Sequence, residues 1–485
     1  MKDQAETGNY AETLQLIGSN LDNYLKFDHD DAQTNAHIWQ QQLDTPLPQQ
    51  GDGFDATVNQ LITQVIANAS AIPNPGSSGY ITTGAVTIAT LAATAANVAS
   101  PQRYTLTAFN LLEEVSLNWL AEMLGIKGMK GVYSSGGSVA NLVALGGAKQ
   151  WAFEQVGHNA AADGINRVGV IYASAECHHT IQRSAGILGL GRNRVKSIKC
   201  DDKGCMNVEA LEQAIKQDLA NGILPIAIVA NLGSTNTGAI DPIKPMGQIS
   251  KKYKIWFHVD GAYGLPGILD QRISHLYEGL ELADSIIIDP HKWLGASVGV
   301  AATFVKDRDV LFRAFTQEPA DYLEGSVEQE DGAAPIIEHS LDDFGIPYYD
   351  FGVELSSPCR GVIVWAMIKE IGVDGMRARI MRHNDMAKSI AETAKNHPNL
   401  ELMLEPTLSI CCFRYISDKV NDLDLLNRRL LRRLVKENNY LPSTTQVNGK
   451  LAIRPCFIGA RSEQSHADGL IKAVLRIGDD LADQL

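Results

Sequence analysis

Two short stretches decide the fold: Ile255-Trp-Phe-His258-Val-Asp260-Gly-Ala262 and Ser285-Ile-Ile-Ile-Asp289-Pro-His291-Lys292-Trp293. Each runs through apolar residues into a cluster of polar and charged side chains, the pattern of a buried strand that ends at a site. Further apolar strands are expected at Val168–Ser174, Val195–Cys200, Ile226–Asn231 and Gly299–Val305, with helical segments such as Val208–Leu219 and Ile243–Lys252 between several of them. Strands alternating with helices predict an α/β fold with a mostly parallel central sheet covered on both faces. Ligands of such sheets bind beyond the carboxyl ends of the strands, where both charged clusters fall.

The pattern changes on either side of this region. After Arg360, helices are expected at Gly361–Ile371 and Met376–Asn396. Strands at Leu400–Leu404, Ile410–Tyr415 and Leu451–Phe457 then surround a basic helix, Leu423–Asn438. This is the signature of a smaller α+β C-terminal domain. The first 50 or so residues are polar with helical apolar spacing at Tyr10, Leu14, Leu16, Ile17, Leu21, Tyr24 and Leu25, as in an arm that packs on something else. The expected division is an N-terminal helical arm over 1–72, a large α/β domain over 73–360 that holds both charged clusters, and the small domain over 361–485.

No charged residue lies between Asp55 and Arg103, and Gly84–Val98 is almost wholly Ala, Thr, Val, Ile and Leu. A membrane span needs roughly 20 strongly apolar residues. This run is shorter and Ala/Thr-rich, with Pro73, Pro75, Gly76 and Gly79 ahead of it, so it reads as a helix buried in the core or at a subunit interface.

Composition excludes several classes. A formal net charge of −14 over 485 residues lacks the clustered basic surface that a nucleic acid requires. The seven cysteines are odd in number and have no C-x-x-C spacing, which fits a reduced, cytoplasmic setting. The N-terminus has no apolar signal-peptide core. Gly189-Leu-Gly191-Arg-Asn-Arg194 lacks the third glycine of a dinucleotide fingerprint, and neither G-x-S-x-G nor a P-loop occurs.

What remains is chemistry at the strand ends. Asp260 and Lys292 could form a structural ion pair, but a buried lysine beside a histidine is expensive to desolvate unless its amine has work to do. An amine that condenses with an aldehyde supplies that reason, and a carboxylate nearby can keep a pyridine nitrogen protonated. Ser134-Ser-Gly-Gly137-Ser138-Val-Ala-Asn141 leads small residues into a helix, where free N–H groups and the helix dipole favour an anion; a plain turn with a serine cap is the alternative. Ser174-Ala-Glu-Cys-His178-His179-Thr180 follows a strand. Adjacent side chains should diverge and no further ligand pair stands at zinc-like spacing, so no metal is expected; a single histidine there can stack on a flat cofactor.

Together these motifs resemble the group II pyridoxal-phosphate decarboxylases, from about residue 72 to the C-terminus, with the D-P-H-K-W segment and the upstream H-V-D-x-A as the most specific match. The resemblance implies an aspartate-aminotransferase-like fold, pyridoxal 5'-phosphate (PLP) as cofactor, and decarboxylation of an L-amino acid to its amine and carbon dioxide by a homodimer. It implies that Lys292 holds PLP as a Schiff base, Asp260 pairs with the pyridine nitrogen, Ala262 packs under the ring and His178 stacks on the other face. Gly137 and Ser138 match the phosphate loop, with Asp289 and His291 nearby. Thr235 falls beside the cofactor, and Arg360 matches an arginine ahead of the helix containing Trp365. In the acidic stretch from Thr316 to Tyr349, Pro319-Ala-Asp-Tyr322-Leu323 resembles a mobile segment whose tyrosine protonates the carbanion, with Tyr348 and Tyr349 as fallbacks. Val139 replaces a polar residue of many relatives, and Asn74-Pro-Gly-Ser-Ser-Gly-Tyr80 lacks the aromatics of the aromatic amino acid enzymes. A lyase of the sphingosine-phosphate type or an aldehyde-forming decarboxylase is the enzymatic alternative, and a non-catalytic binding homologue is the other.

Overall fold

The computed structural model describes residues 8–29, 32–103, 107–316 and 346–484. A seven-stranded sheet forms its centre, in the order Lys130–Ser134, Ala301–Val305, Ser285–Ile288, Trp256–Asp260, Leu224–Asn231, Gly169–Ser174 and Val195–Ile198. The last five run parallel to one another, while Ala301–Val305 is antiparallel to both of its neighbours. The expected mostly parallel sheet is therefore present. Its inner strands are dry on both faces: Ile226 to Ala230 and Ile286 to Ile288 have no exposed surface, which only a sheet covered by helices allows.

Two features of the sheet were not specified by the sequence reading. Lys130–Ser134 is a strand that the apolar pattern did not indicate, and Ala301–Val305 runs opposite to the strand before it. The connection from Asp289 to Val300 contains turns but no helix, and a parallel crossover needs about a dozen or more residues, usually including one. With no helix to carry the chain back across the sheet face, the link returns antiparallel.

The C-terminal region forms a second sheet, in the order Ser77–Ser78, Leu441–Val447, Lys450–Arg454, Cys412–Tyr415 and Leu400–Leu404. Its helices Leu423–Glu437 and Gln464–Ala482 build a separate apolar cluster that includes Leu426, Leu430, Leu470, Val474 and Ile477. The helical run Gly361–Asn396 breaks at Gly372, whose φ of 63° suits glycine, so its two halves correspond to the two helices expected there. The first half gives Ile363, Val364 and Met367 to the large core, and the second gives Met386, Ala387 and Ile390 to the small one.

The helix Thr87–Ala99 occupies the uncharged stretch. Ala89, Ala92 and Ala96 face inward, whereas Leu91 and Val98 are more than half exposed. Only one face is buried within the chain, so the expected buried helix is half covered here. Among the described residues no helix is long and apolar enough to cross a membrane.

Candidate active site

The chain delivers its polar side chains to one place because five strands that point the same way all end there. Ser134 leads into Ser135-Gly-Gly-Ser138, Ser174 into His178, Asn231 into Ser234 and Thr235, Asp260 into Ala262, and Ile288 into Asp289, His291 and Lys292. The residues that follow Ser134, Ser174 and Ile288, with Asn231, Ser234, Thr235, Asp260 and Ala262, line a single cavity of about 390 Å³, together with Val139, Asn141, Thr180, Gly233, Tyr263 and Val298. The structure thus brings together nine residues singled out in the sequence: Gly137, Ser138, His178, Thr235, Asp260, Ala262, Asp289, His291 and Lys292.

Lys292 places its Nζ 3.0 Å from Asp289 Oδ2, and His291 Nε2 lies 3.8 Å from the same oxygen. His291 Nδ1 donates to the carbonyl of Val300, 2.7 Å away, which turns its other nitrogen toward the carboxylate. Asp260 is held on both sides: Oδ1 accepts from the Ala262 N–H at 3.1 Å and Oδ2 from Asn141 Nδ2 at 3.0 Å. A carboxylate offers about four acceptor positions, so lone pairs remain for a ligand. Burial lowers the His178 pKa, assisted by the nearby Lys292 and His179 charges and opposed by Asp260. The rings of His178 and His179 lie 4.1 Å apart at 36°, so these neighbours converge, contrary to expectation. No group of three or more metal-ligating side chains is found among the described residues.

The helix Gly137–Glu154 begins at the cavity wall, aiming its free N–H groups and positive dipole end there. Its first residue leaves no room for a side chain unless Asp289 shifts, because a Cβ at Gly137 would stand 2.6 Å from Asp289 Oδ2. We expect Gly137→Ala to fold but to bind PLP about tenfold more weakly, roughly 1.4 kcal/mol, in an absorbance titration. Behind the loop, Glu354 accepts from the Ser135 N–H at 3.2 Å and pairs with Arg360 Nη1 at 2.8 Å. Arg360 Nε also donates to Gly299 O, at 2.8 Å. The arginine named from the sequence therefore does not line the cavity but ties two of its rims together.

Tyr322 and most of the acidic stretch lie outside the described residues. Tyr348 is corrected by the structure: it is fully buried, does not line the cavity, and donates its hydroxyl to Glu114 Oε2 at 2.7 Å. Burial and that carboxylate raise its pKa, so it is no proton donor for this site. Sequence reasoning assigned no role to Asn141, Thr180 or Asn231. Asn231 pairs in register with Asp260 and lines the cavity.

A condensable amine, a carboxylate with spare acceptor positions, a helix N-terminus and the unpaired buried Asp289 Oδ1 beside the amine suit an anionic aromatic aldehyde with a basic ring nitrogen. PLP is such a group. Residues 37–416 match the model of the pyridoxal-dependent decarboxylase conserved domain. The chain is 31% identical to an aromatic-L-amino-acid decarboxylase of Bacillus atrophaeus over 356 residues, 72% of this chain and 69% of that one. It is 28% identical to a 4-hydroxyphenylacetaldehyde synthase of Rhodiola rosea over 75% of this chain and 72% of that one. The solved structure of Oryza sativa TDC with PLP and tryptamine superposes with a TM-score of 0.87 over 98% of this chain and 99% of that one, at 21% identity. The chain belongs to the pyridoxal-dependent decarboxylase family and is a PLP-dependent amino acid carboxy-lyase.

Proposed function

We propose that Lys292 carries PLP and that this cavity converts an L-α-amino acid to its amine and carbon dioxide. The observation that carries the reading is the meeting of Lys292, Asp260, His178 and the Gly137 helix N-terminus around one cavity. When bound, PLP supplies an electron-poor ring that takes up the electron pair left by departing carbon dioxide. Asp260 holds a proton on the ring nitrogen. Gly137 and Ser138 bind the phosphate, His178 and Ala262 take the two ring faces, and Thr235 and His291 flank them. Asp289 serves as counter-ion to the Lys292 amine while that amine is free.

By its resemblance, Tyr322 is the acid that returns a proton to the substrate's α-carbon; a phenol suits this task. The test is to incubate the purified enzyme with a panel of amino acids and quantify carbon dioxide, amine, aldehyde and ammonia. The reading expects amine and carbon dioxide in equal amounts from wild type, and slower amine formation with some aldehyde from Tyr322→Phe. Aldehyde as the main wild-type product would move the enzyme to the aldehyde-forming class, and release of no carbon dioxide from any amino acid would overturn the reading.

The working unit is proposed to be a cytoplasmic homodimer. Tyr24 is the one buried apolar residue among those described in the arm, while Tyr10, Leu14, Leu16, Leu21, Phe54 and Leu61 are exposed. Apolar surface on this scale, with Leu91 and Val98 also exposed, asks for a partner. All seven cysteines are free, as in a reducing compartment. Sedimentation at micromolar concentration is expected to give twice the chain mass of 52.6 kDa.

A further inference from the structure

The strand Trp256–Asp260 alternates faces, so Trp256, His258 and Asp260 project to the same side. His258 pairs in register with Ser285 on the next strand, and the helix Gly137–Glu154 crosses that face with Asn141. All are buried, and their hydrogen bonds form one continuous chain. Trp256 Nε1 lies 2.8 Å from Ser285 Oγ, and Ser285 Oγ lies 2.8 Å from His258 Nδ1. His258 Nε2 is 2.8 Å from Asn141 Oδ1, and Asn141 Nδ2 is 3.0 Å from Asp260 Oδ2. A branch runs from Asn141 Nδ2 to Thr180 Oγ1 at 3.3 Å and from Thr180 Oγ1 to His178 Nδ1 at 2.9 Å.

The direction of every bond follows from the two ends. Indole N–H can only donate, and a carboxylate can only accept. Asp260 fixes the Asn141 amide with nitrogen toward it, which leaves Oδ1 toward His258 and requires a proton on His258 Nε2. Full burial holds the His258 pKa down at about 4, so near pH 7 its Nδ1 is bare and accepts from the Ser285 hydroxyl. On the branch, Thr180 Oγ1 accepts from Asn141 and donates to His178 Nδ1, which the Thr180 N–H also approaches at 3.4 Å. His178 then carries its proton on Nε2.

We propose that His258 and Asn141 are positioning residues: a one-way hydrogen-bond relay from Trp256 through Ser285 and His258 sets the Asn141 amide, which orients both the Asp260 carboxylate and the His178 tautomer. Neither residue performs chemistry. Their function is to make one arrangement of Asp260 and His178 the only one with every buried donor and acceptor matched. Without the His258 donor, Asn141 Oδ1 is left buried with no partner and the amide is held only through its nitrogen, by Asp260 and Thr180, so the orientation it imposes on both is less firmly fixed. The proposal rests on the PLP reading for its catalytic consequence, but the tautomers themselves do not depend on it.

The test uses full-length, histidine-selectively 15N-labelled protein stripped of PLP, and two variants. The wild-type spectrum is expected to place a single proton on Nε2 of both His258 and His178 at pH 7. His258→Leu keeps the apolar bulk and deletes the relay, whereas His258→Gln keeps an acceptor for Ser285 and a donor for Asn141. The leucine variant is expected to lose the fixed His178 tautomer, to bind PLP about tenfold more weakly and to lower kcat about tenfold with KM little changed, the effect of one lost charge-assisted hydrogen bond. The glutamine variant is expected to restore the His178 signal and most of both losses. A wild-type His258 that is charged or protonated on Nδ1 at pH 7 overturns the relay, and so does a leucine variant indistinguishable from the glutamine one. Because the tautomers are read without cofactor or substrate, that failure is separable from failure of the decarboxylase reading.

Discussion

Replacement of Lys292 by alanine is expected to lower turnover by at least about four orders of magnitude, roughly 5.4 kcal/mol of barrier. The lysine lies in the turn four residues beyond the strand Ser285–Ile288, and its side chain is 23% exposed at the cavity. Its Nζ meets Asp289 Oδ2 at 3.0 Å, and Asp289 itself is 2% exposed with Oδ1 unpartnered. Removing the amine takes away a covalent anchor for an aldehyde and also the nearest cation to a buried carboxylate. Lys292→Arg separates these effects: it retains the positive charge beside Asp289 but has no amine able to condense at neutral pH. Both variants are expected to lose the visible absorbance and the borohydride-trapped adduct of the bound cofactor, and both to lose turnover. Stability should fall only in the alanine variant, by about 1 kcal/mol because the pair is partly open to solvent. An arginine variant with near wild-type turnover would show that charge alone, and no covalent anchor, is what position 292 supplies.

The strand ends were readable because two signals coincided there. A strand buried on both faces must be written almost wholly in apolar residues, and the first charged residues after it must therefore lie at the sheet's edge. Asp260, Asp289 and Lys292 stand out for that reason, and His178 and Thr235 follow their strands within a few residues. Lys130–Ser134 escaped because Lys-Gly-Val-Tyr-Ser is short and carries a lysine, a glycine and a serine in five residues, so its composition does not show that all but Lys130 are buried. Asn141 and Ser285 escaped for another reason. Asn141 reads as part of an ordinary helix and Ser285 as part of a strand. Their meaning arises only where the helix crosses the strand, through contacts separated by more than 100 residues for Asn141 with His258 and Asp260. His258 did carry a signal: a histidine on the same face as Asp260, two residues earlier and inside a dry strand, needs partners for both ring nitrogens. The side-chain period of two would have pointed to Ser285 as one of them.

Asp260→Asn is expected to reduce kcat about a hundredfold or more, roughly 2.7 kcal/mol, while reducing folding stability by only about 1–2 kcal/mol. Both oxygens of Asp260 accept from fixed donors, the Ala262 N–H and Asn141 Nδ2. An asparagine has one oxygen and one NH2, so either amide orientation sets a donor against a donor. If its NH2 faces Asn141, that side chain can turn, but the turn sets Asn141 Nδ2 against His258 Nε2–H, and the mismatch passes to the next bond. If its NH2 faces Ala262, the backbone N–H there has no such freedom and is left unpaired. The folding cost comes from this local conflict and stays modest because the cavity admits water. The catalytic cost is larger because a neutral amide cannot hold a proton on a ring nitrogen as an ion pair does, and an unprotonated ring accepts electrons poorly. The two costs are separable. Urea unfolding of the cofactor-free protein reads the first, and kcat of the reconstituted enzyme with saturating PLP reads the second. Ala262 offers a control: Ala262→Gly leaves the backbone N–H and the Asp260 carboxylate in place and removes only the methyl group at the cavity wall. A kcat for Asp260→Asn within about tenfold of wild type, less than about 1.4 kcal/mol of barrier, would place the electron-withdrawing partner of the ring elsewhere in the cavity. Asp289, the other buried carboxylate lining it, would be the residue to replace next.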